Sequence, residues 1–498
     1  MAKSEFNGIL IDREYLIELN DRYKEMIDKN KDLLYGLKII KRVEKDIISK
    51  RKKEYIESLQ EEIDSGELTP RQEALRETKI KSVALGKPTT KKELKIFEPI
   101  NFSSPQQMRE ILYYNKKGYK FKITNRTESG EPSTDEETIE ELALKDKYGF
   151  VKALLKHREL EKLYSTYIVG ILNRLDKDNY LHASYLIHGT VTGRFSSKDP
   201  NMQNIPRPTT NPDIKKMFIP PPGYLLVECD YSQAELRIAA ELANEKSMIE
   251  MFNRNYDIHL ATTAKTKGVP YESLLKIYED EKHPDHVRIG KERKKSKKVN
   301  FGILYEQSAY KLATELSIQS GEEVSIDEAQ EYLDEWFNTF PRVKRWINNQ
   351  HKTVKKKGYV VNIFGFKRRL PKIHSSKYGE MLEAQRQSVN APIQGSASYY
   401  TAFAGILIEE LRKEGKVPLD FPQIYTVHDS LGFYVRKDKI HEFHDIVMPL
   451  MANPNTKPYF GFKLKHLSMK SDMEVGTNWA NISEYHKHID YKNYDTNR

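Results

Sequence analysis

The 498 residues, 38% of them hydrophobic, suffice for roughly two to four domains with substantial cores, and no stretch has the length and apolarity of a membrane span or a secretory leader. A single cysteine, Cys229, excludes an internal disulfide framework and suits a reducing, intracellular setting. Lys and Arg number 82 against 72 Asp and Glu, a net charge of +10 concentrated in KERKKSKK (Lys291–Lys298) and FKRR (Phe366–Arg369), which fits a polyanionic partner and equally fits solvated faces.

Along the chain, residues 13–63 place Leu16, Leu19, Tyr23 and Met26 at three-four spacing among charges, which predicts a pair of long amphipathic helices. TNRTESGEPSTDEE (Thr124–Glu137) predicts a loop. Beyond it no repeat, low-complexity block or linker appears, so the remainder reads as one interdigitated unit. GYLLVECDYSQAELRIAAELA (Gly223–Ala243) joins a buried strand, Tyr224–Cys229, to a helical pattern running from Gln233 through Leu236, Ala239, Ala240 and Leu242, with Asp230 at the strand's end. An aspartate there is often a helix cap.

RKKSKKVNFGILYEQS (Arg293–Ser308) repeats Arg293, Lys297, Phe301 and Tyr305 at four-residue steps. Each step turns a helix by about 400°, so these side chains drift about 40° per step and share a face about 18 Å long. Cations occupy one end and aromatics the other. Such a face fits a nucleotide, its triphosphate against the cations and its base against the rings, and it also fits a surface helix anchored in a core by its aromatics.

IYTVHDSLGFYV (Ile424–Val435) predicts two short strands with His428, Asp429 and Ser430 at the tip of the turn between them. These are the letters of a hydrolytic triad, but consecutive side chains point to opposite faces and do not converge on one another. Asp429 gains a purpose if the fold brings it to Asp230. Two hard carboxylates can jointly hold a pair of Mg²⁺ ions about 4 Å apart, one activating an attacking hydroxyl and the other steadying a leaving phosphate.

DYSQAELR (Asp230–Arg237), RKKSKKVNFGILY (Arg293–Tyr305) and VHDS (Val427–Ser430), in that order, resemble motifs A, B and C of the family A DNA polymerases, the group of bacterial polymerase I and many phage replicases. TGRFSSKDPNMQNIP (Thr192–Pro206) and RQSVNAPIQGSA (Arg386–Ala397) are similar to two further family segments along the primer-template duplex. GILIDREYL (Gly8–Leu16) and NFSSPQQMREIL (Asn101–Leu112) resemble the start and middle of the family's thumb, so the likeness spans essentially the whole chain.

The resemblance implies an α+β right hand: a helical thumb over 1–165, a palm with an antiparallel sheet over 166–250 and 376–498, and helical fingers over 251–375. It implies a DNA polymerase that extends a primer 3′-OH with dNTPs on a template. Asp230 and Asp429, with the backbone carbonyl of Tyr231, would bind two Mg²⁺ ions. Arg293, Lys297 and His259 would hold the triphosphate, with Lys297 also serving catalysis. Phe301 and Tyr305 would pack on sugar and base, Gln233 would line the same pocket, and Glu235 would cover the sugar's 2′ position. Arg194, Asn201, Gln203, Asn204, Arg386, Asn390, Gln394 and His428 would line primer terminus and template, sensing minor-groove acceptors common to all correct pairs. Closure of the fingers would carry Lys297 and Arg293 towards the metals.

Two positions depart from the family pattern: Ser430 stands where most members have Glu, and Glu306 where the motif B helix usually continues with Gly. His-Asp-Ser is also how motif C reads in phage single-subunit RNA polymerases, which share the hand-like fold. Those enzymes lack the counterpart of Glu235, have Met in place of Phe301, and carry a large promoter-binding region for which this chain has no room. A catalytically silent DNA-binding or clamp protein would not need both aspartates and the helix. Thumb-like sequence begins within the first dozen residues, ahead of which relatives often carry a proofreading exonuclease, so this chain is expected not to proofread. The expected partners are primer-template DNA, dNTPs and a separate 3′-5′ exonuclease or processivity factor. The expected form is a monomer, without a membrane, in a cytoplasm; the Lys- and Asn-rich composition points to a phage and hence to its bacterial host.

Overall fold

The computed structural model describes residues 2–494 apart from 128, 419, 455, 457 and 459–463, and divides into two compact units. One unit comprises residues 20–165. The three-four spacing read from the sequence produces helices Arg13–Gly36 and Lys38–Asp64, separated by the single extended residue Leu37; Leu16, Leu19 and Tyr23 are buried as the spacing requires, whereas Met26 is exposed and Ile27 takes the buried position. Leu34, Ile40 and Val43 bury against Phe102, Met108, Leu112, Ile139, Phe150 and Leu154 to form this unit's core. The segment expected as a loop over 124–137 ends two residues early, because the Asp135 side chain accepts the Thr138 N–H at 2.9 Å and starts helix Glu136–Ala143. Glu128 of that segment lies outside the described residues.

The other unit comprises residues 2–19 and 166–494. Residues 2–19, grouped with the thumb by resemblance, pack here because their apolar and backbone groups are claimed locally. Ile9 and Leu10 pair with Leu181 and Tyr180, buried Ile11 bridges Phe218, and the Leu10 N–H donates to the Tyr434 hydroxyl at 2.8 Å.

At the centre of this unit is a five-stranded sheet of β1 (Tyr224–Tyr231), β2 (Gln423–Val427), β3 (Ser430–Arg436), β4 (Ser471–Gly476) and β5 (Ile482–Glu484). Its order is β5-β4-β1-β3-β2 and every neighbouring pair is antiparallel. The helices that matter to the site are α1 (Ala234–Ala243), α2 (Ile258–Thr266), α3 (His286–Leu304), α4 (Ile326–Thr339), α5 (Pro341–Lys357), α6 (Tyr378–Lys413) and α7 (Ile440–Ala452). Among the described residues no helix is long and apolar enough to cross a membrane.

Strand alternation sends Leu225, Val227, Cys229 and Tyr231 of β1, with Leu431, Phe433 and Val435 of β3, into a core shared with Val389, Ile393 and Ala397 of α6 and Phe443 and Val447 of α7. The intervening positions, Glu228 and Asp230 of β1 and Asp472 and Glu474 of β4, lie on the opposite face in directly paired register. A slip of one residue would turn this acidic row into the core and the apolar row out, at about 1.5 to 3 kcal/mol for each large side chain exposed. The apolar set therefore fixes where the carboxylates emerge.

Gly432 sits opposite Glu228, and the Tyr425 ring crosses over it so that its hydroxyl donates to Glu228 at 2.5 Å. A Cβ at position 432 would come within 2.2 Å of that ring. Gly432→Ala is expected to cost about 2 kcal/mol or more as an overpacked site, seen as a drop in the midpoint of thermal or urea unfolding. An unchanged midpoint would show that the ring is not held there.

Candidate active site

The β1–β3 register places Asp230 opposite Ser430, so Asp429, in the two-residue turn before it, falls at the same end of the sheet. The Tyr231 N–H donates to the Asp429 carbonyl at 3.2 Å and ties the two segments together. Asp230 is not a helix cap: the residue before α1 is Gln233, at φ 57° and ψ 39°. Solvent reaches the Asp230 carboxylate, yet the protein packed around it, with Glu228 and Asp429 next in effect, raises its pKa from 3.8 to about 7. Asp429 is raised to about 6 by burial and by Glu235, with Arg194 opposing. Its Oδ1 is buried without a hydrogen-bond partner.

Two destabilised carboxylates, one with an orphaned oxygen, fit a divalent cation. Among the described residues there is no group of three His, Cys, Asp or Glu side chains that could hold a metal, so an ion here would draw its other ligands from backbone, water and substrate. Lys215, lying 4.0 Å over the Trp479 ring, faces Glu228, Glu474 and Asp230 and partly offsets their charge.

The hairpin carrying Asp429 is clamped from outside. Gln203 donates through Nε2 to the Thr426 carbonyl at 2.8 Å and accepts the His428 N–H on Oε1 at 2.8 Å. His428 adopts φ 52° at the tip. The Gln203 amide is thus occupied by backbone, while His428 is exposed and surrounding protein, with Arg194 and Arg207, lowers the pKa of its ring. The Ser430 hydroxyl donates to the Val427 carbonyl at 2.9 Å and is buried within the hairpin.

Arg293, Lys297 and Phe301 lie on α3, with Tyr305 as its C-cap. Arg293 is gripped by Asp257, whose Oδ2 accepts from Nε at 3.0 Å and Nη2 at 2.5 Å, while Oδ1 caps α2 through the His259 and Leu260 N–H groups. His259 is buried 5.8 Å from the Phe301 ring. Lys297 forms no ion pair among the described residues, and burial, Arg293 and Arg207 lower its pKa. At the other end, buried Glu235 is ion-paired with Arg194 and accepts the Tyr305 hydroxyl at 3.2 Å, with Gln394 beside Tyr305.

The structure thus gathers Asp230, Asp429, Glu235, Arg194, Tyr305, Gln394 and His428 in one group, and Arg293, Lys297, His259 and Phe301 in another. Arg207, whose charge acts on both Lys297 and His428, links them. Arg386 is instead paired with Glu383 one turn away, with Nη2 to Oε2 at 2.5 Å. Asn201 caps its own short turn through the Gln203 N–H at 3.1 Å. Asn204 is exposed, and Asn390 Nδ2 is buried without a partner. Sequence reasoning passed over Arg207, Lys215, Asp257 and Asn300; of these only Asp257 carried a signal, as an N-cap residue before an apolar run.

Glu306 occupies the left-handed region at φ 46°, which explains why glycine suits this position, and its carboxylate meets His351 Nε2 of α5 at 2.8 Å. The contact offsets the backbone strain.

Residues 72–481 match the model of DNA polymerase family A. A DNA polymerase of Bacillus phage SP01 is 32% identical over 490 residues, which cover 96% of this chain and 49% of the phage protein. DNA polymerase I of Pseudomonas aeruginosa is 33% identical over 384 residues, 77% of this chain and 38% of that protein. The chain therefore spans half or less of these curated relatives. The POL domain of Pol1 from M. smegmatis, in complex with DNA primer-template and dNTP, superposes with a TM-score of 0.71 at 26% identity, over 96% of this chain and 68% of that one.

Two outcomes follow from the electrostatics and the strain. With EDTA present, Asp230 and Asp429 hold protons more tightly folded than unfolded, since their ordinary value is 3.8 and their folded values are about 7 and about 6. The contribution of these two groups to the unfolding free energy should therefore fall as pH rises from about 4 through 7, so Asp230→Asn should gain stability relative to wild type over that range; a constant difference between variant and wild type across it would contradict the shift. Separately, Glu306→Gly should be nearly neutral in the wild type but stabilise a His351→Ala background by about 1 kcal/mol, because only the strain then remains. Equal effects in both backgrounds by urea unfolding would show that the contact offsets nothing.

Proposed function

The chain belongs to DNA polymerase family A, and from that membership we propose that it extends a primer 3′-OH with dNTPs on a DNA template by two-metal-ion nucleotidyl transfer. The observation that carries this reading is the convergence of Asp230 and Asp429 at one sheet end, both pKa values raised and one oxygen unsatisfied. We assign residues 20–165 as the thumb, the sheet with its flanking helices as the palm, and the region around α2 to α5 as the fingers.

Asp230 and Asp429, with the Tyr231 carbonyl, would hold two Mg²⁺ ions. When bound, these supply activation of the primer hydroxyl and neutralisation of the leaving pyrophosphate. The chain's own side chains do the rest. Arg293, aimed by Asp257, and His259 bind the triphosphate. Lys297, with no ion-pair partner among the described residues and a lowered pKa, gives its proton to the leaving group more readily than an ordinary lysine. Phe301, Tyr305 and Gln233 line the sugar and base pocket. Arg194, Arg207, Asn204, Asn390, Gln394, Arg386 and His428 face the duplex, whereas Gln203 and Asn201 act by shaping the hairpin and turn that the duplex meets.

Glu235, fixed between Arg194 and Tyr305, fills the 2′ side of the sugar, so a ribose hydroxyl meets a buried, already paired carboxylate. The Ser430 hydroxyl is spent inside its own hairpin, which supports reading that departure as local architecture rather than as a ribonucleotide contact. The reading also includes no proofreading by these residues, action as a monomer in a cytoplasm (the bacterial host's for a phage protein), and a separate exonuclease or processivity factor as partner.

Primer extension tests the proposal. Asp230→Ala or Asp429→Ala should abolish incorporation while leaving duplex binding largely intact, because Lys and Arg contacts to phosphate supply most of the affinity; robust extension by either variant would refute the assignment. Glu235→Ala should relax dNTP over NTP preference roughly tens-fold, from a polar and steric term of about 1 to 3 kcal/mol, whereas Ser430→Glu should leave it standing. A wild type that favours NTPs would replace DNA with RNA synthesis. Shortening of a mismatched primer without dNTPs would reveal a nuclease.

A further inference from the structure

His259 stands in the cationic end of the site with one ring nitrogen engaged and the other free, and the engaged side dictates its chemistry. The chain of bonds starts at Trp336 of α4, a buried indole that can only donate. Its Nε1 donates to Asn300 Oδ1 at 2.5 Å, which fixes that amide end as the oxygen. A second contact agrees: the Thr262 hydroxyl donates to the Ile258 carbonyl at 2.6 Å and accepts from Asn300 Nδ2 at 3.2 Å. The remaining Nδ2 hydrogen therefore points at His259 Nδ1, 2.9 Å away. Nδ1 must accept, so the ring proton resides on Nε2. Among the described residues Nε2 has no hydrogen-bond partner, and Arg293, Lys297 and Asp257 are the charged groups around it.

We propose that Trp336 and Asn300 are positioning residues that hold His259 as the Nε2–H tautomer, making it a directed hydrogen-bond donor to an anionic oxygen of the nucleotide's triphosphate. This rests on the nucleotide-binding reading given above. Burial and the two neighbouring cations independently push the imidazole down to about 4, so at working pH the ring enters uncharged. The site thus recognises the triphosphate with two full cations and one neutral donor of fixed direction. A third cation at this point would add repulsion between Arg293 and Lys297 when the nucleotide is absent; a donor adds none.

The test combines a spectroscopic signature with kinetics. ¹⁵N NMR of histidine-labelled protein, with His259 assigned by difference from His259→Gln, should show the Nε2–H tautomer in wild type. Asn300→Asp, whose carboxylate can only accept, should move the proton to Nδ1 or render the ring cationic. Trp336→Phe, which keeps an aromatic ring but removes the N–H, should raise the Nδ1–H share of the ring, since Thr262 then holds the amide only through its 3.2 Å contact. In steady-state primer extension Asn300→Asp should raise KM for dNTP on the order of tenfold, the scale of one lost bond to a charged group, and that penalty should vanish in a His259→Ala background. An Nδ1–H ring in folded wild type, or an undiminished Asn300→Asp penalty in His259→Ala, would overturn the inference even with dNTP incorporation intact. Absence of incorporation in wild type would instead strike the functional reading and leave the tautomer result standing. Should Asn300→Asp not fold, Asn300→Leu, which removes the amide donor altogether, decides instead, an Nε2–H population unchanged from wild type there contradicting the relay.

Discussion

Two carboxylates that repel one another are held together by a sheet register, and the rest of the sheet-bearing unit can be understood as what makes that arrangement tolerable. The register is set from the opposite face, where the apolar side chains of β1, β3 and β4 bury against α6 and α7. Core formation is worth far more than the local repulsion costs, so Asp230 and Asp429 are forced into proximity by residues that have no part in the chemistry. Tyr425 crossing Gly432 to reach Glu228, Lys215 over Trp479, and Gln203 bracketing the hairpin then stabilise the acidic face without covering the two aspartates.

A second regularity concerns the groups assigned to the nucleotide. Few of them stand alone. Arg293 is aimed by Asp257, Glu235 is fixed by Arg194 and Tyr305, and His259 is oriented by Asn300. Each partner removes rotational freedom before any substrate arrives, which lowers the entropy lost on binding and confines each donor or charge to one direction. Lys297 is the exception: it has no ion-pair partner among the described residues and a depressed pKa, the state expected of a group that moves a proton rather than one that merely binds.

Much of this was legible in the sequence because periodicity encodes it. The apolar run Tyr224–Cys229 announced β1, the four-residue repeat announced the face of α3, and two apolar runs around His-Asp announced the hairpin. The pairing of Asp230 with Asp429 was legible only as chemistry that required it, since the register comes from cross-strand packing. What escaped were residues whose partners are distant in sequence: Asn300 looked like any polar residue on a helix, and Arg207 like any loop cation. The use of Gln203 as a clamp was not legible, because nothing in its local sequence shows that the backbone of a hairpin more than two hundred residues on would claim its amide. Glu306 was legible as a departure, but its positive φ and its contact with His351 became visible only once α5 was in place.

The central claim is that Asp230 and Asp429 converge in order to share divalent cations at the reacting phosphate. Anomalous diffraction from crystals of the protein with primer-template, an incoming nucleotide and Mn²⁺ tests it most directly. The account expects two metal peaks about 4 Å apart, both coordinated by Asp230 and Asp429, with the nucleotide's phosphates completing their shells. Peaks confined to Glu228, Asp472 and Glu474, or a pair of aspartates left without metal beside a bound nucleotide, would contradict it.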